Sequence, residues 1–195
     1  IMLGTPNHGS FQAVRLMVGQ YGIADLLALL DYRHSRWELM DIFNRYPGAT
    51  ELLPWADSGR DFSDPMLWRA LRAEAGENWP LPDKAALRTA RDTWALLRDA
   101  PADGECMAYV AGWSGRTACD YIIEQNSGET GFPARRIVFQ STRRGDGTVP
   151  WDLGRLAGVP TWYAEGVAHD QLLAHKPAFA AYLDLVNRGL VPAAV

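Results

Sequence analysis

Cysteine is nearly absent: Cys106 and Cys119 are the only two in 195 residues. Two cysteines allow at most one disulfide and lack the paired Cys/His spacing of a zinc site, so neither a disulfide framework nor a bound metal is expected. Cys106 opens an apolar run with strand character, and the pair is read as structural free thiols. Positive charge is scarce too. A net charge of −4, with Lys and Arg scattered rather than striped, offers no field for phosphate backbones, so nucleic acid is not an expected partner. No apolar run approaches the roughly 20 residues of a membrane span, and the start shows neither a charged n-region nor a cleavage site. Repeats and low-complexity tracts are missing as well. A soluble protein is the expectation, with the cytoplasm favoured but the compartment left open. Its opening, Ile1-Met2-Leu3-Gly4-Thr5-Pro6-Asn7-His8-Gly9-Ser10, reads as an apolar strand entering a glycine-rich turn with no start methionine, as a chain beginning inside a domain would.

What is present is ample apolar content, 48% of the chain, enough for a buried core of mixed α/β class. After the strand at Ile1 to Leu3, apolar residues recur at helical spacing up to about Ala100: Phe11, Val14 and Met17; Ile23, Leu26, Leu27 and Leu30; Trp37, Met40 and Phe43; Leu87, Trp94 and Leu97. Breaks fall at Pro47-Gly48, Ser58-Gly59 and around Pro80 and Pro82. Five of the eight tryptophans lie in this stretch, at Trp37, Trp55, Trp68, Trp79 and Trp94. They suit a cap or lid over a site for a greasy substrate, and equally the core of a small helical subdomain. Beyond Pro101-Ala102-Asp103-Gly104 the pattern changes to three strands, Met107 to Ala111, Arg136 to Gln140 and Pro160 to Glu165, with a last helix from Lys176 to Asn187 carrying Phe179, Tyr182, Leu183 and Val186 on one face. The expected organisation is a core strand and turn (1–10), a helical cap or lid (11–100) and a C-terminal α/β core (101–195).

Two polar motifs follow strand ends: Gly145-Asp146-Gly147-Thr148-Val149-Pro150, and Gly166-Val167-Ala168-His169-Asp170. Ligands and catalytic groups of α/β sheets collect at the carboxyl ends of strands. An aspartate followed by a histidine is the order of the last two members of a Ser…Asp…His triad. In that arrangement the carboxylate of Asp146 fixes the imidazole tautomer and His169 acts as general base. Each residue alone reads as ordinary, Asp146 as a turn aspartate; it is the pairing that points to chemistry. His8, His34 and His175 show no such partner in the sequence.

These segments resemble the α/β-hydrolase lipases and acyltransferases of the lecithin:cholesterol acyltransferase-like group. Leu3-Gly4-Thr5-Pro6-Asn7-His8-Gly9-Ser10 is similar to that group's LGTP-x-x-GS turn, and Tyr46-Pro47-Gly48-Ala49-Thr50-Glu51-Leu52-Leu53-Pro54 to its P-S-x-x-x-L-L-P lid segment. Gly145 to Pro150 resembles its GDGTVP acid loop, and His169 stands where its histidine would be. The resemblance implies the C-terminal part of an α/β-hydrolase three-layer sandwich with a helical lid insertion, acting on an acyl ester or lipid-like small molecule without a cofactor. It also implies that the serine of G-x-S-x-G and the oxyanion donors lie upstream of Ile1, in the same protein or a complementing chain, so that residues 1–195 alone would be inactive.

Two other readings stay open. Val110-Ala111-Gly112-Trp113-Ser114-Gly115-Arg116 is a strand entering Gly-x-Ser-Gly, and Ser114, Asp146 and His169 fall in triad order, which would make a complete small serine hydrolase; Arg116 stands where an elbow needs glycine. Alternatively a degenerate hydrolase domain serves as a noncatalytic interaction or regulatory module. Ser10 is expected to cap a helix rather than to react.

Overall fold

In a computed structural model of the protein, residues 1–55, 59–125 and 135–188 are described. The elements run β1 (Met2–Leu3), α1 (Phe11–Met17), α2 (Ile23–Leu30), α3 (Arg36–Arg45), α4 (Pro47–Glu51), α5 (Pro65–Ala75), α6 (Lys84–Asp99), β2 (Tyr109–Trp113), β3 (Thr117–Gln125), β4 (Arg135–Thr142), α7 (Trp151–Gly154), β5 (Thr161–Glu165) and α8 (Phe179–Arg188). The chain is of mixed α/β class. It divides into two compact units, Ile1–Asn7 with Ala100–Ala118 and Ser141–Val195, and His8–Asp99 with Cys119–Gln140. No helix among the described residues is long and apolar enough to cross a membrane.

The first unit holds a parallel sheet in the order β1-β2-β5. Met2 pairs with Tyr109, and β2 runs beside β5 from Tyr109 opposite Thr161 to Trp113 opposite Glu165. Successive side chains of a strand leave opposite faces. Tyr109 and Ala111 accordingly pack with Val159 on one side, against Met2, Met107, Trp151 and Leu156. On the other, Val110 packs with Val167 and Leu172, against Leu3, Trp162, Ala164, Tyr182 and Leu185. Burial on both faces is what a parallel sheet requires. The last helix differs from expectation in the face it buries: Tyr182 and Leu185 meet the Val110 cluster, whereas Leu183 and Val186 stay 60% and 63% exposed. Both stripes are apolar at helical spacing, so periodicity could not choose between them.

The second unit is mainly helical, and its helices begin at strong local signals. Ser35 and Glu38 form a reciprocal capping box on α3. Asp64 accepts from the Met66 N–H at 2.8 Å with Pro65 in the first turn of α5, and Gly76 closes that helix in the left-handed conformation, φ 64°. Ser10 caps α1, its hydroxyl accepting from the Gln12 N–H at 3.1 Å. The tryptophans fill this unit's core: Trp68 and Trp79 are buried with rings perpendicular at 6.3 Å, Trp55 stacks on Trp94 at 6.4 Å, and the Trp94 indole donates to the Glu51 carbonyl at 2.9 Å. Trp37 is 43% exposed.

The structure adds three features that the sequence alone does not show. Thr117–Gln125 is a strand beyond the three expected from the sequence, and Thr117, Tyr121, Ile122 and Ile123 carry the β-branched and aromatic character of one. It pairs with β4 in a separate two-stranded sheet, and residues 119–140 group with the helices rather than with the C-terminal core. Side chains explain this: Arg60 Nη1 lies 2.5 Å from Asp120 Oδ1, Phe62 and Tyr121 meet edge to face at 6.4 Å, and Gln20 donates to the Ile137 carbonyl at 3.1 Å. Third, Cys106 is exposed in a turn capped by Asp103, because β2 starts three residues later than that cysteine. Part of the expected break at Ser58-Gly59 lies outside the described residues.

Candidate active site

The two expected residues come together. Asp146 Oδ2 lies 2.8 Å from His169 Nδ1, across 23 residues of chain. Asp146 is 2% exposed, and its other oxygen, Oδ1, accepts from the backbone N–H groups of Thr148 at 2.9 Å and Val149 at 2.6 Å. A buried carboxylate is tolerable only when its oxygens are hydrogen-bonded, and these three contacts engage both of them. The main chains lock together as well, the His169 N–H donating to the Asp146 carbonyl at 2.9 Å.

The acid loop reaches this place by a route the sequence did not show. Asp146 follows β4, which belongs to the two-stranded sheet, yet the loop is tied to the end of β2 by the Ser114 N–H donating to the Gly145 carbonyl at 3.0 Å. A Cβ on Gly112 would lie 2.7 Å from the Asp146 Cβ and 2.6 Å from the Val167 carbonyl, so only glycine lets the aspartate settle against the strand. Thr117, fully buried at the start of β3, accepts from the Gly147 N–H at 2.8 Å and pins the turn just beyond the acid.

On the other side lies Gly4, at φ +61°. A Cβ there would lie 2.7 Å from Leu172 Cδ1, 3.0 Å from His169 Nδ1 and 3.2 Å from Asp146 Oδ2. The turn after β1 therefore packs directly on the Asp–His hydrogen bond. The roles of Thr117 and Gly112 are not visible in the sequence: Thr117 lies in a strand with only partial alternation, and a glycine inside an apolar run signals close approach without naming the partner.

His169 begins a single 3-10 turn and its side chain is 33% exposed. The hydrogen bond it donates to Asp146 raises its pKa above the ordinary histidine value; partial burial opposes this, and the charges of Asp146 and Asp170 add to the rise. With Nδ1 engaged by the carboxylate, that nitrogen carries the proton and Nε2 is the basic one, the tautomer assigned from the partner. Such a pair can accept a proton at Nε2 and stabilise the imidazolium that results.

Ser114 is not joined to either residue by a side-chain hydrogen bond among the described residues. It sits half-buried between β2 and β3, with Gly115 at φ +67° after it. A nucleophile elbow turns from strand into helix, whereas here strand leads to strand. A second His–Asp pair also exists, His34 Nδ1 to Asp31 Oδ2 at 2.7 Å, which the sequence reading did not expect. It is exposed, three residues apart on one loop, and lacks the buried carboxylate that marks the first.

No protein-family model matches this chain, and no curated protein sequence matches it.

Proposed function

We propose that this chain supplies the acid and base of a serine hydrolase of the α/β type, an esterase, lipase or acyltransferase, and that its nucleophilic serine comes from outside residues 1–195. The observation that carries this reading is the buried Asp146 carboxylate 2.8 Å from His169 Nδ1 beside a parallel sheet. His169 Nε2 takes the proton of the attacking serine and returns it to the leaving group. The acyl-enzyme is then opened by water or an alcohol, with His169 acting again as base and then acid. Asp146 holds the ring in the productive tautomer throughout. Thr117 and Gly4 act one step removed, by placing the acid loop and leaving room for the hydrogen bond. In this reading the helical unit is a lid domain and the substrate is an acyl ester or lipid-like small molecule; the unit's buried tryptophans keep it folded.

The test is labelling by a fluorophosphonate probe, together with p-nitrophenyl ester hydrolysis, in the protein of the complete reading frame. His169→Ala should lower turnover by roughly 10^4 to 10^6, as loss of a triad base does. Turnover near wild type in that variant would overturn the assignment. Hydrolysis by residues 1–195 alone that disappears in Ser114→Ala would move the nucleophile to Ser114, and absence of any labelled serine would leave a noncatalytic module.

A further inference from the structure

A cavity of about 530 Å³ opens where β2 and β5 end, lined by Trp113, Ser114, Arg116, Arg143 and Glu165 among others. Its lining includes neither Asp146 nor His169. Trp113 and Glu165 are register partners on neighbouring parallel strands, so their side chains leave the same face of the sheet. That face is opposite to the one where the Gly112 position meets Asp146, one residue earlier on β2. The walls are held by backbone: Gly166 N–H donates to the Trp113 carbonyl at 2.9 Å, and Ser114 N–H to the Gly145 carbonyl at 3.0 Å.

We infer that this cavity is a binding site for an oxyanion, a carboxylate or a phosphate, carried on a molecule whose apolar or aromatic part rests on Trp113. The charge balance argues for it. The chain as a whole carries −4, yet the lining sets two guanidiniums against the single carboxylate of Glu165. Elsewhere in the same unit arginines are spent on carboxylates, Arg144 and Arg155 both pairing with Asp152, at 3.8 and 2.6 Å. Arg116 and Arg143 make no ion pair among the described residues, even with Glu165 on the same wall. A guanidinium fork left open toward a cavity suits bidentate capture of a planar or tetrahedral oxyanion. Trp113, 44% exposed, offers the flat apolar surface beside it and is held edge to face by Trp151 at 5.4 Å. The volume falls in the range of small-molecule sites, and the ends of parallel strands are where such sites form. The inference concerns binding and stands whether or not the Asp146–His169 pair is catalytic.

Calorimetric titration of the chain at low salt with phenyl phosphate, benzoate and benzyl alcohol tests it directly. Saturable binding of at least one anion is expected, with the neutral alcohol far weaker; which anion binds tighter identifies the group as phosphate or carboxylate. Arg116→Gln and Arg143→Gln should each weaken that anion about tenfold, the effect of losing one charge-assisted hydrogen bond. Glu165→Gln should tighten it, because the opposing carboxylate is gone. Arg33→Gln, an exposed arginine on the loop before α3, should change nothing. Absence of saturable binding of both anions at millimolar concentration, alcohol binding as tight as the anions, or an equal loss in Arg33→Gln would each overturn the assignment.

Discussion

Replacing Gly4 by alanine puts a methyl group where the turn after β1 leans on the Asp146–His169 hydrogen bond. Two costs add. The residue holds φ +61°, the left-handed region, where an alanine is disfavoured by about 1–2 kcal/mol. The new Cβ would also stand 2.7 Å from Leu172 Cδ1 and 3.0 Å from His169 Nδ1, well inside contact. Leu172 could turn aside if it were loose, but it is 1% exposed and packed with Val110 and Val167. Overpacking of this kind costs about 1–3 kcal/mol, so the sum is about 2–5 kcal/mol, a large part of the 5–15 kcal/mol by which a domain is stable. The strain is relieved most cheaply by the imidazole, because His169 is partly exposed and Leu172 is not. Urea unfolding and an NMR spectrum of the imidazole protons read the two consequences separately. The expected result is a lower unfolding midpoint together with loss or displacement of the hydrogen-bonded Nδ1–H signal. An unchanged midpoint with an unmoved Nδ1–H signal would refute the argument.

Other outcomes follow from the same contacts. Asp146→Asn removes the hydrogen bond and charge that raise the His169 pKa while burial remains, so the imidazole should titrate at lower pH than in the wild type; an NMR titration showing no downward movement contradicts the assignment. Thr117→Val leaves the half-buried Gly147 N–H without its acceptor and should cost about 1 kcal/mol, while Thr117→Ser restores most of it; equal stability of all three proteins in urea would show that the hydroxyl does not hold the acid loop. Because the folded-state pKa of His169 lies above its unfolded value, its pairing with Asp146 contributes stability that is fully present below about pH 6.5 and fades as pH rises through the folded value. The stability gap between wild type and His169→Gln should therefore narrow on going from acid to mildly alkaline pH; a gap that widens would reverse the sign of this coupling.

Local chemistry was legible wherever neighbours in sequence are neighbours in space. The Ser10 cap, the strand at Thr161–Glu165 and the turn around Gly145 to Pro150 all follow from side chains acting within a few residues. Legibility failed where a choice depended on what lies opposite. Cys106 stands just before an apolar run, and its exposure depends on where the neighbouring strand begins pairing. The stripe of α8 that is buried depends on how the helix approaches the sheet, since both stripes are apolar. β3 was hidden because its burial alternates only in part, and its Tyr121 ring packs on Phe62, far away in sequence.

The candidate site divides in the same way. By itself the sequence determined which residues make up the candidate pair, since an aspartate between turn glycines and a histidine after a later strand are local features that any fold must accommodate. Only the tertiary structure decided that they meet, that Gly4, Gly112 and Thr117 make the place for them, and that Arg116 and Arg143 face a separate cavity. The physical reason is that pairing, burial and close approach are properties of distances between segments, and the distance between segments remote in sequence is set by packing.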